Sequence, residues 1–281
     1  ITSTSYSDGC NRGYTYLAQL ADFQIKNNTS LMHVFSAGNT GNEDCGYGAG
    51  QGWGNITGGV KMGKNVLTVA NVDDQDKLSS TSSRGPANDG RIKPDISANG
   101  DAQFSTQPNN TYAAANGSSA AAPGVAGVLA QLYDAFEDGH PNTFPNSALI
   151  KSIVLNTADD LGNPGPDFSY GFGRINARRA LNVLQNNQYF EGGMGHSNTH
   201  SYFVSVPEGT QQLRVMLYWN DFEGSTISSP SLVNDLDLRV TNNSTENYLP
   251  WVLNSSPDSN LLNLPAIRGI DNLNNVEQVT I

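Results

Sequence analysis

One stretch limits what this chain can fold into more than any other: Asn116-Gly117-Ser118-Ser119-Ala120-Ala121-Ala122-Pro123-Gly124-Val125-Ala126-Gly127. Beyond its start, Val125, Val128, Leu129, Leu132 and Phe136 recur at the spacing of one helix face. A helix with such a stripe must bury it against another layer, so the segment has to lie on a sheet or on other helices. Pro123 is expected in the first turn, where its missing N–H removes no bond. Ser119 then sits at the positive end of the helix, with Gly117 admitting a close approach. Serine is a preferred helix cap. The same placement suits a nucleophile, because negative charge develops beside the hydroxyl during acyl transfer. On these residues both readings stand.

The chain before this helix alternates strand and helix. Ile1–Ser5 reads as a strand, Leu17, Leu20, Ala21 and Ile25 as a helix, and Leu31–Ser36 as a strand running into the turn Ala37-Gly38-Asn39-Thr40-Gly41. A long Gly-rich loop follows from Gly46 to Gly63, then a strand at Asn65–Val72. That order predicts an α/β parallel sheet, whose ligands bind at the carboxyl ends of the strands. Leu149, Ile150, Ile153 and Val154 mark another helix, and Ala177 to Leu184 a last one. Past about residue 187 helical spacing disappears. Tyr202–Val206, Leu213–Trp219 and Leu236–Val240 alternate like strands of a sandwich, so residues 1–187 and 188–281 are expected as two domains.

With a net charge of −11 and no basic stripe, nucleic acid is not an expected partner. No apolar run is long enough to span a membrane. The two cysteines, Cys10 and Cys45, leave one bridge and two free thiols equally open. Abundant Asn, Ser, Gly and Thr with few lysines suit a secreted protein. Ile1 opens inside one strand and Ile281 closes inside another, so the chain is expected to be an internal piece of a longer protein.

Four ordered motifs carry a family resemblance. Gly117-Ser118-Ser119-Ala120-Ala121-Ala122-Pro123 resembles the nucleophile signature of subtilisin-like serine proteases. Ser36-Ala37-Gly38-Asn39-Thr40-Gly41 is similar to the segment that presents the oxyanion-hole asparagine. Ser82-Ser83-Arg84-Gly85-Pro86 with Lys93-Pro94-Asp95-Ile96, and Gly171-Phe172-Gly173-Arg174-Ile175-Asn176-Ala177, resemble two structural stretches of the same family. Arg84 is a candidate partner for Asp95. The resemblance implies the C-terminal half of a subtilisin-type parallel-sheet catalytic domain, truncated before its first strands, with Ser119 as nucleophile and Asn39 as oxyanion donor. It implies that a polypeptide substrate lies along Ser5, Tyr6 and Ser7 and against Ala37 and Gly38. Residue 7 departs from the glycine common in that strand, and the first-pocket preference stays unassigned. The β part resembles a jelly-roll domain akin to the P domain of proprotein convertases, lacking its closing strands.

The family's aspartate and His-Gly-Thr-His histidine precede the oxyanion asparagine, and neither motif occurs here. His33, His140, His196 and His200 do not match. The chain alone is therefore expected to be inactive, with the missing N-terminal half of the catalytic domain as the partner that supplies both groups. An alternative from another class is a non-catalytic binding or adhesion protein built on a decayed protease domain; an intact Ser119 and Asn39 argue against it. No cofactor is needed for the chemistry. For a structural calcium ion, Asp235 and Asp237, or Asp271 with Asn274 and Glu277, offer hard oxygen ligands. Acidic loop residues are ordinary surface chemistry at least as often, so the metal is left unassigned.

Overall fold

A computed structural model describes residues 1–281. The chain runs β1 (Thr2–Thr4), α1 (Tyr16–Asn27), β2 (His33–Ser36), β3 (Leu67–Val72), β4 (Ile96–Asn99), β5 (Gln103–Gln107), β6 (Thr111–Ala115), α2 (Ser118–Gly139), α3 (Ser147–Asn156) and α4 (Ala177–Gln185). Then come β7 (Arg214–Tyr218), β8 (Val240–Thr241), β9 (Asn247–Tyr248), β10 (Trp251–Val252), α5 (Ser259–Leu262), β11 (Ile267–Arg268) and β12 (Val276–Thr280).

Strands β1, β2, β3 and β4 form one sheet in that order, every pair parallel. Each residue of β3 is buried, as expected for a parallel strand covered on both faces. Helix α2 lies across β2, β3 and β4 and brings Ala121, Ala122, Val125, Leu129, Leu132 and Phe136 into the main core. Its stripe is the one the spacing predicts. In α1 the stripe is rotated: Ala18, Ala21, Asp22 and Ile25 are buried, while Leu17 and Leu20 are exposed. The small residues allow α1 to approach its neighbours closely. Asp22 is buried because Tyr14 Oη and the Lys64 and Asn65 amides donate to it at 2.8–3.0 Å. Between β4 and α2 the antiparallel hairpin β5–β6, which the sequence pattern does not reveal, projects outward with Phe104 and Tyr112 stacked.

Asp95 does not pair with Arg84. It is held by Lys93 Nζ at 2.6 Å and Lys151 Nζ at 3.0 Å, all three side chains buried. Burial raises the Asp95 carboxyl, but the two ammonium groups more than offset this and hold it below the usual carboxylate range. Arg84 lies over the Trp53 ring instead.

Beyond residue 188 the strands are antiparallel pairs: β7 with β12, β8 with β9, and β10 with β11. Tyr202–Val206 and Leu236–Arg239 are not strands; alternation gives a segment two faces but no neighbour to pair with. This part shares a core with the sheet, since Leu262 and Val276 belong to the same apolar cluster as α2 and α3. A buried ion pair, Lys64 Nζ to Asp221 Oδ2 at 2.6 Å, crosses the same junction. Lys64 also donates to the carbonyls of Phe222 and Ser231, both at 2.7 Å.

Candidate active site

The site lies where β1 and β2 end and α2 begins, at the carboxyl edge of the parallel sheet. Gly117 precedes α2 with φ +112°, a conformation that favours glycine. Its missing side chain also makes room: a Cβ there would stand 2.9 Å from Asn39 Nδ2 and 3.0 Å from Asn39 Oδ1. The Asn39 amide thus lies flat against the glycine that starts the helix.

Ser118 fixes how that amide faces. Its N–H and its Oγ–H both donate to Asn39 Oδ1 at 3.0 Å, and its Oγ accepts from Gly38 N–H at 3.0 Å. With Oδ1 held by two donors, the oxygen and nitrogen of Asn39 cannot be interchanged, and Nδ2 is left without a partner in the chain. Asn39 is exposed while Ser118 is fully buried. The Ser119 N–H, one residue on, belongs to the first turn and has no carbonyl four residues behind it within the helix. No acidic residue occupies the first turn of α2, so nothing local cancels the positive end of its dipole. Ser119 N–H thus lies at the positive end of α2, and the Asn39 amide lies against Gly117, two residues before Ser119.

The Ser119 side chain is half-buried, and Oγ donates to the Ser5 carbonyl at 3.4 Å. Ser5 returns a bond from Oγ to the Ser119 carbonyl at 3.0 Å. This second bond corrects the placement of Pro123. The proline lies in the second turn of α2, four residues after Ser119, where its missing N–H leaves the Ser119 carbonyl without its helical donor. The Ser5 hydroxyl supplies that donor, tying the end of β1 to the start of α2. A proline at this distance signals by itself that an outside donor is required. The bonds made by Ser118 and Ser5 leave no such clear mark in the sequence, because a serine next to Ser119 looks like spacing.

Tyr6 and Ser7 continue from Ser5 on the open surface. Ala37 and Gly38 are buried, and all four of their backbone groups are used. The N–H groups go to the Val69 carbonyl and Ser118 Oγ, and the carbonyls accept from Thr57 and Ser83. These bonds fix the backbone that leads into Asn39, and each carbonyl keeps one lone pair unused. Below them Lys61 is buried, donates to Thr57 Oγ1 at 3.3 Å, and is lowered to about 8 by that burial.

No histidine hydrogen-bonds to Ser119. His33 pairs through Nδ1 with Thr2 Oγ1 at 2.6 Å and through Nε2 with Gln24 at 3.1 Å. His140 stacks on Phe136 at the far end of α2. His196 and His200 lie on the surface beyond α4. Cys10 and Cys45 are bridged, which joins the segment after Ser7 to the loop after Asn39.

A sequence model of the subtilase family matches residues 1–173. The C5a peptidase of Streptococcus pyogenes is 35% identical over 111 residues, 37% of this chain and 10% of that protein. Thermitase of Thermoactinomyces vulgaris is 30% identical over 154 residues, 55% of this chain and 45% of thermitase. The chain thus spans from a tenth to under half the length of these curated relatives. Among solved structures, the self-cleaved protease domain of PatA superposes with a TM-score of 0.51 at 20% identity, covering 66% of this chain and 61% of that one. The prenylagaramide maturation protease PagA gives 0.51 at 23%, covering 65% and 61%. At such identity the two structures speak for the α/β fold alone.

Proposed function

Because the chain belongs to the subtilase family of peptidases, we propose that it carries the nucleophile and the oxyanion donors of a secreted serine endopeptidase. The observation that carries this reading is the locked Asn39 amide. Its oxygen is held by the Ser118 N–H and Oγ–H, which leaves Nδ2 without a partner in the chain and lying against Gly117, two residues before Ser119. In the reaction, Ser119 Oγ attacks the carbonyl carbon of a peptide bond. The carbonyl oxygen becomes an oxyanion between Asn39 Nδ2 and the Ser119 N–H, and its charge is stabilised by donors that need no reorganisation. Collapse of that adduct expels the amine and leaves an acyl-enzyme, which water then hydrolyses. The substrate backbone extends along Ser5, Tyr6 and Ser7.

A serine of ordinary acidity needs a base to take its proton, and a carboxylate to orient that base. Both are supplied, on this reading, by a segment outside these 281 residues, and the chain alone is inactive. The Cys10–Cys45 bridge supports a secreted location, since disulfides persist in oxidising compartments. No helix is long and apolar enough to cross a membrane. Residues 188–281 form, in this proposal, the second domain, a jelly-roll-type sandwich of which β7 and β12 are one antiparallel pair.

The test uses a serine-directed phosphonate and a peptide substrate. Alone, the chain should neither turn over substrate nor label at Ser119. In the longer protein, wild-type enzyme should label at Ser119 and cleave, and Asn39→Leu should lower kcat by about 10²–10³, the range for loss of one oxyanion donor from a subtilisin. Labelling and turnover by the chain alone would refute the need for outside partners. Unchanged kcat in Asn39→Leu would refute the oxyanion assignment.

A further inference from the structure

One carboxylate beside the candidate site has no part in the proposed chemistry. Asp8 follows Ser7 directly, where the chain turns inward: Ser5, Tyr6 and Ser7 are exposed and Asp8 is half-buried. Asp8 takes part in no ion pair of the structure. Opposite it lies the end of the Gly-rich loop. Gly58 has φ +109°, and a Cβ there would fall on Asp8 Oδ1, so the missing side chain of the glycine gives the carboxylate its place.

Both segments are anchored to the candidate site. Thr57, one residue before Gly58, donates its N–H to the Ala37 carbonyl at 3.0 Å, and a Cβ on Gly38 would fall on Thr57 Oγ1. Ser5, three residues before Asp8, exchanges hydrogen bonds with Ser119 in both directions. The gap between Ser5–Asp8 and Thr57–Gly58 therefore runs alongside the nucleophile loop, and the Asp8 carboxylate bridges its two walls. A cavity of about 360 Å³ continues past Asp8 to Gly59, Thr15 and Tyr16, with room for a long side chain.

We infer that Asp8 selects a basic side chain, Lys or Arg, on the substrate residue whose carbonyl Ser119 attacks; this rests on the function proposed above. With the substrate backbone along Ser5–Ser7, that side chain points into the gap and its cationic head meets Asp8. A charge-assisted hydrogen bond there, partly out of water, is stronger than the same pair in open solvent. An acidic side chain would meet a like charge at the same place, and an apolar one would take water from the carboxylate and return no donor. The two cations nearby are engaged elsewhere. Lys61 Nζ is buried and donates to Thr57 Oγ1 at 3.3 Å, and the Arg12 guanidinium lies against Gly9, where a Cβ would stand 3.3 Å from Nη2. Neither comes within ion-pair distance of Asp8. The field of Asp8 still reaches the floor of the gap: burial lowers Lys61, and the Asp8 charge opposes that shift. The net charge of −11 adds long-range attraction for a basic peptide.

The longer enzyme is assayed on peptides that differ only in the residue before the scissile bond: Arg, Lys, Met or Glu. Active enzyme is counted by phosphonate labelling of Ser119, so misfolded variant does not enter the rates. The Arg and Lys peptides should exceed the Met peptide in kcat/KM by about 10–100-fold, the range for one hydrogen bond to a charged group. Asp8→Asn should bring Arg and Lys down to the level of Met, and Asp8→Lys should make Glu the preferred residue. In parallel, the fluorescence of p-aminobenzamidine, a cationic probe that needs no turnover, should report saturable binding to wild type and none to Asp8→Asn. Enzyme that labels and cleaves with no preference for Arg and Lys, or with a preference unchanged in Asp8→Asn, overturns the assignment of Asp8 and leaves the proposed function standing. Enzyme that neither labels nor cleaves, yet binds the probe through Asp8, overturns the proposed function and keeps the cation site. Equal probe binding by wild type and Asp8→Asn overturns the cation site in either case.

Discussion

Replacing Lys64 by Met tests how the two parts of the molecule are joined. Lys64 and Asp221 have fully buried side chains 2.6 Å apart. The three protons of the ammonium go to Asp221 Oδ2 and to the carbonyls of Phe222 and Ser231. Asp221 in turn accepts from the Val233 and Asn234 N–H groups and from Asn234 Nδ2. Methionine matches the volume of the lysine stem, so packing is kept. What is lost is the one cation paired with the buried Asp221 carboxylate, and two carbonyls lose a donor. Removing one member of a buried ion pair costs about 3–5 kcal/mol, most of it the stranded charge. Asp221→Asn relieves that charge, so the double variant should be less destabilised than the sum of the single changes, with a coupling of about 1–3 kcal/mol. Urea unfolding followed by tryptophan fluorescence measures all three, since Trp53 lies in the sheet part and Trp219 and Trp251 beyond it. The loss should persist in 1 M salt, because a pair without water around it is weakly screened. If Lys64→Met unfolds within about 0.5 kcal/mol of wild type, the residue is solvated and the 221–231 segment is not seated on the sheet.

Three other outcomes follow from the same reasoning. Ser118→Ala leaves the buried Gly38 N–H without an acceptor and should destabilise the chain by about 1–3 kcal/mol in urea, with a larger loss of kcat than of KM in the longer enzyme. Ser5→Ala strips the Ser119 carbonyl of its donor and should cost about 1 kcal/mol, while a Pro123→Ala background, which restores a helical N–H, should absorb most of that effect. Asp167 is raised to about 6 by burial, against the pull of the Tyr170, Ser169 and Asn163 N–H groups. Its folded pKa exceeds the unfolded value of about 3.9, so its stabilising contribution is full below pH 4 and lost as pH rises through 6. Asp167→Asn should flatten that fall, worth up to about 3 kcal/mol, in melting curves taken from pH 4 to 7.

How much of this was legible in the sequence depended on whether the cause was local. Helix α2, its buried stripe and the placing of Ser119 at its start follow from spacing and from Gly117, all within one segment. Residues 149–154 gave α3 for the same reason. The role proposed for Asn39 is suggested only beside Ser119, because an asparagine in an Ala-Gly-Asn-Thr-Gly turn has no distinctive spacing. What failed was non-local. Leu17 and Leu20 mark the apolar side of α1 by composition, yet the helix packs by its small side, with Asp22 inward, because Tyr14 and the 64–65 amides can satisfy that carboxylate. Lys64, Lys93 and Lys151 read as surface charges until the acids that face them are known. Tyr202–Val206 alternates as a strand does, and no strand lies beside it.

The proline at 123 has a consequence for how the molecule holds its shape under load. A helix that hydrogen-bonds only to itself can slide or tilt as a rod without any neighbour noticing. Here one rung is missing, and the vacancy is filled from the end of another element. Any drift of the Ser5 segment away from the helix therefore exposes the Ser119 carbonyl. Alignment of the two walls and integrity of the helix become a single mechanical property. A chain that mended its ladder would gain a sturdier rod and give up the latch.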